Sequence, residues 1–263
     1  MHNYQSLTAD LRNWGVPSEA TIMIHSSYKS IGELDPGAAA SGADAVLDVL
    51  ADYFASGLLV LPTHTWNRVS AEQPIFDVDE TPSNVGILGE VFRTRPGVLR
   101  SWHATHSLAV LGRDAVEFVA DEHLSNTPTT RSGCHGKLYD RDAYVVLLGA
   151  PLTKNTIIHG AEEWADIPNR FTAEPWPTKI RYRDATGAEV VIDAPVYGHW
   201  STLGRSISEN YDILEAPLLR EGIAWEAKFG DARVFIARAR AMVDYTMNLL
   251  TSEPDLFLGR PTL

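Results

Sequence analysis

Apolar and polar positions along the first 165 residues fall into two alternating textures. Thr21-Ile22-Met23-Ile24, Gly57 to Leu61 and Ala143 to Gly149 are short, nearly continuous apolar runs. Such runs read as strands buried on both faces. Between them, apolar residues recur every three to four positions, which marks helices with one buried stripe. These helices are predicted over Tyr4 to Trp14, with Leu7 and Leu11 inward, and over Gly42 to Phe54, with Ser41 as cap and Val46, Leu47, Leu50 and Phe54 inward. Two more are predicted over Val85 to Arg93 and Asp114 to His123, and a further strand within Leu99 to Leu111. Strands alternating with helices predict an α/β protein, three layers α/β/α around a mostly buried central mixed sheet.

Beyond Pro168 the texture changes. Lys179 to Arg183 and Glu189 to Ile192 flank Asp184-Ala185-Thr186-Gly187, which predicts a β-hairpin. Ile223 to Phe229 and Ala232 to Ile236 predict a second strand pair, with helix around 208–220 and a last helix over Ala237 to Leu250. The expected anatomy is one domain, residues 1–263, with a core over 1–167 and a β-rich addition and final helix over 168–263. Two stretches, 63–84 and 124–142, are predicted as loops too long to be mere connections, and loops of that length often cover an active site.

Three segments carry candidate chemistry. Asn155-Thr156-Ile157-Ile158-His159-Gly160-Ala161-Glu162-Glu163 follows the last buried strand and opens a helix. Thr156, His159 and Glu163 share a helical face, and Glu162 also falls within reach of His159. A histidine beside a carboxylate past the carboxyl end of a buried strand sits where open sheets place their chemistry; the same residues also fit a capped helix start with an acidic turn. His25-Ser26-Ser27-Tyr28-Lys29-Ser30 leaves the first strand with hydroxyls, backbone N–H groups and a lysine, a set able to hold phosphate oxygens. It lacks the glycine and Gly-Lys-Ser/Thr spacing of a P-loop, and serine–backbone bonding in a turn is the alternative. Arg100-Ser101-Trp102-His103-Ala104-Thr105-His106-Ser107 holds a histidine pair. On a strand the two rings would face opposite sides, so a shared metal is not expected and one buried, hydrogen-bonded histidine is.

Composition narrows the partners. A net charge of −12 gives no basic face for nucleic acid or an anionic membrane. It suits a small cationic substrate, for which Asp77, Asp79 and Glu80 of the 63–84 loop are candidate partners. The single cysteine, Cys134, excludes an intramolecular disulfide framework and fits a reducing compartment. Neither a signal-peptide pattern nor an apolar run long enough to span a bilayer is present, so a cytoplasmic location is expected. Oligomeric state is not readable. Nothing places a base beside Cys134, so a structural thiol is expected.

His25-Ser26-Ser27-Tyr28-Lys29-Ser30-Ile31-Gly32, Leu61-Pro62-Thr63, Arg100-Ser101-Trp102-His103 with Ser107, Leu147-Leu148-Gly149, and Asn155-Thr156-Ile157-Ile158-His159-Gly160-Ala161-Glu162 occur in this order. Together they resemble the aminoglycoside 3-N-acetyltransferase (antibiotic N-acetyltransferase) family, clearly over residues 7 to 165 and loosely beyond. The resemblance implies an acetyl-coenzyme A-dependent N-acetyltransferase without a metal. It implies His159 as catalytic base with Glu162 and Thr156 of the same motif. Ser26, Ser27 and Ser30, with Arg100, Ser101 and His103, are then implied for the coenzyme A side, where Lys29 is the countercharge that the residues themselves offer. Ala104 replaces the family's usual proline. Gly133-Cys134-His135-Gly136 stands where Ser-Pro is usual, and no carboxylate adjoins His199, where acidic residues for amino sugars are expected. The alternatives are a metal-dependent hydrolase built on His103, His106, His159 and Glu162, and a non-catalytic module binding an amine or coenzyme A.

Overall fold

The computed structural model describes residues 1–199 and 207–258. Its strands are β1 (Thr21–Ser26), β2 (Leu58–Pro62), β3 (Ile75–Asp77), β4 (Leu99–Arg100), β5 (Leu108–Gly112), β6 (Tyr144–Leu148), β7 (Lys179–Arg183), β8 (Glu189–Asp193), β9 (Ala224–Phe229) and β10 (Ala232–Arg238). Seven of them form one mixed sheet in the order β4-β5-β2-β1-β6-β10-β9. The apolar runs read as doubly buried strands occupy its centre: β1 pairs in parallel with β2 and β6, Met23 standing opposite Val60 and Val145. The flanking pairings are antiparallel. The strand pairs expected in the last third divide. β9 and β10 complete the central sheet beside β6, whereas β7 and β8 join β3 in a separate three-stranded sheet.

Alternation along the central strands sends side chains into two cores. Ile22, Ile24, Leu59, Leu61, Val146 and Ile236 pack under α1 (Tyr4–Arg12), α2 (Gly42–Tyr53) and α3 (Ile87–Arg93). The Ser41 hydroxyl caps α2, accepting the Asp44 N–H at 3.1 Å. On the other face Met23, Val60, Val145, Leu147 and Phe235 pack under α4 (Ala115–Val119), α5 (Cys134–Asp140), α6 (Ile157–Trp164), α7 (Glu215–Arg220) and α8 (Ala239–Ser252). This is the three-layer α/β/α arrangement. The catalytic candidate therefore lies on a helix of the second layer, packed against α8.

Both long stretches read as loops hold regular structure. β3 lies inside 63–84, and α5 begins at Cys134 inside 124–142. Their sequences hid this for a local reason: a three-residue strand has no readable period, and α5 starts on Gly-Cys-His-Gly, whose glycines signal a turn. The region around 208–220 is a 3₁₀ segment, Ile207–Leu214, running into α7.

Gly149 ends β6 with φ +64°, and a Cβ there would lie 2.5 Å from the Ser30 side chain. Its carbonyl accepts from the Ser30 hydroxyl at 3.3 Å, tying the ends of β1 and β6 together. Gly149→Ala must bear both a left-handed backbone and that collision, so it should lower unfolding free energy by about 1–3 kcal/mol. Urea denaturation measures this, and an unchanged midpoint would contradict it.

Candidate active site

Parallel β1, β2 and β6 aim their carboxyl ends at one edge, where the chain leaves the sheet three times. β6 delivers Asn155 and Thr156 to the start of α6, one turn of which carries His159 and Glu162. Glu162 is fully buried. The Arg170 guanidinium donates from Nε to its Oε1 at 2.6 Å, and the Tyr211 hydroxyl donates to its Oε2 at 2.5 Å. Tyr211 also makes a short hydrogen bond to His159 Nδ1, whereas Glu162 itself stands 3.5 Å from that nitrogen. The carboxylate thus reaches the histidine through a tyrosine rather than directly. Burial, reinforced by the Glu162 charge, pushes the Tyr211 hydroxyl well above its ordinary pKa, so it keeps its proton.

The supports of this chain come from the last hundred residues. Arg170 is 1% exposed and donates its other nitrogens to the carbonyls of Pro168 and Pro254. The Phe257 ring packs on Tyr211 at 4.8 Å between centroids. His199 lies over His159 with ring centres 3.8 Å apart, its Nε2 3.6 Å from Glu162 and without a hydrogen-bond partner among the described residues. Burial holds its pKa well below the ordinary value. Tyr211 and Arg170 were invisible to sequence reasoning, since neither sits in a motif; the one available signal for His199 was its place in an otherwise apolar Tyr-Gly-His-Trp run.

Glu163, which helical geometry also offered to His159, accepts the Thr127 and Thr129 hydroxyls at 2.5 and 2.8 Å. Thr156 is buried at the N-cap of α6. At the end of β1, Ser26, Ser27 and Ser30 are half-buried and Lys29 is exposed. The Ser30 hydroxyl donates to that of Ser27 at 2.9 Å. Arg100 is spent internally: its guanidinium donates to the Ser107 hydroxyl and to the carbonyls of Val78, Thr81 and Thr63, and it stacks on Phe76. Burial lowers its pKa to about 9. The Ser101 hydroxyl accepts the Leu108 N–H. His103 bonds the Thr127 carbonyl and the N–H groups of Thr105 and His106. Arg100, Ser101 and His103 therefore build the wall of this edge, and their polar groups are committed to protein partners.

His103 and His106 lie in the turn between β4 and β5, not on a strand, so the opposite-face argument does not apply to them. His103 is buried and His106 half-buried, at 5.8 Å between ring centres. Among the described residues the one trio with metal-ligand proximity is His159, Glu162 and His199, within 4.8 Å of one another. His103 and His106 are not part of it, and Arg170 and Tyr211 already engage both Glu162 oxygens. Cys134 is buried, its thiol raised well above the ordinary pKa by burial and by Glu122, which is the environment of an inert cysteine.

Asp77 accepts Arg181 Nε at 2.7 Å and the N–H groups of Asp79 and Glu80. Asp77 and Glu80 line a surface groove with Arg68, Gln73 and Arg181. None of these contacts brings the turn to His159, so its substrate-binding role rests on charge alone.

The profile of the aminoglycoside 3-N-acetyltransferase family matches residues 23–251. The chain belongs to that family. It is an N-acetyltransferase. Among its relatives, aminoglycoside N(3)-acetyltransferase VII of Streptomyces paromomycinus is 28% identical over 91% of this chain and 88% of its own. Aminoglycoside N(3)-acetyltransferase IX of Micromonospora chalcea is 27% identical over 93% and 92%. The solved structure of AAC-IIIb in binary complex with CoASH superposes with a TM-score of 0.80 at 24% identity, covering 96% of this chain and 97% of that one. Among the described residues no helix is long and apolar enough to cross a membrane.

Six histidines whose protonation burial opposes, His25, His64, His103 and His135 fully buried and His106 and His199 half-buried, make this fold acid-sensitive. Burial lowers His25 and His135 to about 3 and His103 to about 4, and takes His64, His106 and His199 well below the ordinary value. Unfolded, each would take up a proton near pH ~6.5, whereas the folded protein refuses it until far lower pH. The unfolded state therefore binds more protons between these limits, and stability is full above pH ~6.5 and lost as pH falls toward 4. Melting temperature should fall continuously from pH 7 to pH 4.5; a flat profile across that range contradicts the assignment of neutral buried imidazoles.

Proposed function

We propose that this acetyltransferase moves the acetyl group of acetyl-coenzyme A onto an amine of an aminoglycoside or a related cationic amino compound, with His159 as general base. The observation that carries this reading is the chain Glu162–Tyr211–His159. A carboxylate engaged by Arg170 can only accept, so the single Tyr211 proton goes to Glu162 and the tyrosine oxygen accepts from His159 Nδ1–H. That fixes the tautomer and leaves the His159 Nε2 lone pair for the substrate. The logic is that of a triad carboxylate, with a hydroxyl interposed.

An acceptor amine is mostly ammonium at neutral pH and must lose a proton before attack. His159 takes that proton, and the Tyr211–Glu162–Arg170 chain holds the ring in place as it becomes charged. When bound, the donor supplies an electrophilic thioester carbonyl. Ser26, Ser27, Ser30 and Lys29 offer hydroxyls and one exposed cation for the donor's polar groups, beside backbone N–H groups at a strand end. Fitting donor and acceptor to one edge of the sheet removes the entropy of a bimolecular encounter. With Cys134 buried and inert, direct transfer without an acyl-enzyme is the mechanism that fits.

A thiol-release screen with acetyl-coenzyme A across aminoglycosides and other amines tests the reading, and an absence of thiol release with every amine would support a binding module instead. His159→Ala should abolish transfer while leaving coenzyme A affinity intact, a loss of ~10²–10⁴ in kcat. Tyr211→Phe should lower kcat by ~10–100-fold with little change in KM, as expected for loss of a group that acts through the base. Because Tyr211 and Glu162 act in series, Tyr211→Phe with Glu162→Gln should cost no more than the worse single change. Additive losses would show that the two act independently.

A further inference from the structure

The edge that carries His159 also gathers imidazoles that the proton relay does not use. His25 ends β1, His64 follows β2, His106 precedes β5 and His135 opens α5. His106 bonds the Thr105 hydroxyl. His25 Nε2, His64 Nε2 and both ring nitrogens of His135 are buried without a hydrogen-bond partner among the described residues. Buried polar atoms are almost always paired, because leaving one unpaired forfeits its hydration with no return. Unpaired donors gathered beside a catalytic base are an arrangement that is completed when substrate binds.

Geometry and charge select the group they would hold. The His64 and His135 ring centres are 6.4 Å apart. An oxygen in a normal hydrogen bond of ~2.9 Å to a ring nitrogen lies about 4 Å from that ring's centre. Two such reaches span 6.4 Å with the oxygen between the rings, so one oxygen can accept from both. Burial keeps both imidazoles neutral, and His159 lies within electrostatic reach of each. A phosphate would call for cations, and an ammonium for carboxylates. Two uncharged N–H donors in a dry site suit a carbonyl oxygen that is neutral when it binds and gains charge during reaction.

We propose that His64 and His135 form the pocket for the thioester carbonyl oxygen of the acyl donor, each giving one N–H. This rests on the acetyl-transfer reading above and adds the residues that stabilise the developing charge. As the acceptor nitrogen bonds to the carbonyl carbon, the π pair moves onto the oxygen between the two rings. It returns as the C–S bond breaks. His159 sheds the ammonium's first proton to solvent, takes a second from the nitrogen as it bonds to the carbonyl carbon, and passes that one to the departing sulfur; the amide nitrogen keeps one N–H, and His64 and His135 end as they began. Neutral imidazole is the right donor because it does not titrate at working pH and cannot surrender its proton to the oxygen it holds.

The test uses His64→Leu and His135→Leu, with His64→Gln and His135→Gln as variants that keep an N–H. Each leucine variant should lower kcat by ~10²–10³, the usual loss of one such donor, while coenzyme A affinity by calorimetry stays unchanged. Each should also melt higher by about 2–4 °C, since an unpaired buried nitrogen has been replaced by an apolar group. Glutamine should restore part of kcat. Infrared spectra of bound acetyl-coenzyme A carrying a ¹³C carbonyl give a reading independent of any acceptor. The stretch should move to lower frequency on the wild-type protein and return toward its solution value on the double leucine variant. Unchanged kcat in both leucine variants, or kcat and melting temperature falling together without rescue by glutamine, overturns the proposal, as does a carbonyl stretch unmoved on the wild type. A stretch that shifts in a protein releasing no thiol with any amine would sustain the carbonyl pocket and defeat the transfer reading instead.

Discussion

The interaction on which the site depends is the buried pairing of Glu162 with Arg170. A carboxylate with no solvent exposure is tolerable only if a cation and hydrogen-bond donors replace its water. Arg170 supplies the charge at 2.6 Å, and Tyr211 supplies the remaining donor. Once those two are in place, every other position follows. The tyrosine oxygen can only accept from His159, the imidazole is held through Nδ1, and Nε2 is left outside that chain of bonds. Removing either partner would leave a charge buried alone, a loss of about 3–5 kcal/mol for a pair of this kind. The same pairing that orients the proposed base is thus a large fraction of what a domain of this size has in hand.

This explains why the last third of the chain cannot be an ornament on an acetyltransferase core. Pro168 and Pro254 present the carbonyls that hold Arg170, the Ile207–Leu214 segment presents Tyr211, and Phe257 packs on its ring. β9 and β10 extend the central sheet from β6, and α8 packs against α6. The proposed base comes from the middle of the sequence, but its orientation comes from residues between 9 (Pro168) and 98 (Phe257) positions later. Such contacts tie catalytic geometry to completion of the whole fold.

What the sequence carried legibly was periodic. The doubly apolar runs at 21–24, 57–61 and 143–149 became the parallel centre of the sheet, and the helical stripes of Leu7 and Leu11 or Val46, Leu47 and Leu50 became one core. The His159–Glu162 spacing was legible because a helix turns i and i+3 to one side. Three things were not. α5 was hidden behind glycines, β3 was too short to show a period, and the partners of Glu162 lay in segments with no local reason to meet it. The long-range residues could not be read because an arginine in a loop and a buried tyrosine carry the same local signal wherever they end up. The motif at Arg100, Ser101 and His103 hid its internal bonding in a different way. The resemblance implied it for the coenzyme A side, and no local pattern shows that Arg100 donates to three backbone carbonyls and a serine, bracing the segment around Val78 and Thr81 against β4.

The site therefore combines two opposite electrostatic devices within one sheet edge. On one side a full negative charge is buried and neutralised, so that an imidazole can gain and lose a proton without the surroundings reorganising. On the other, imidazoles are buried and left neutral, which penalises protonation and makes them fixed dipoles rather than titrating groups. A base must change charge during the reaction, and a carbonyl pocket must not. Placing histidines of both kinds along one sheet edge requires that the base have a carboxylate relay and the pocket imidazoles have none, and in this chain the Glu162–Tyr211 branch ends at His159.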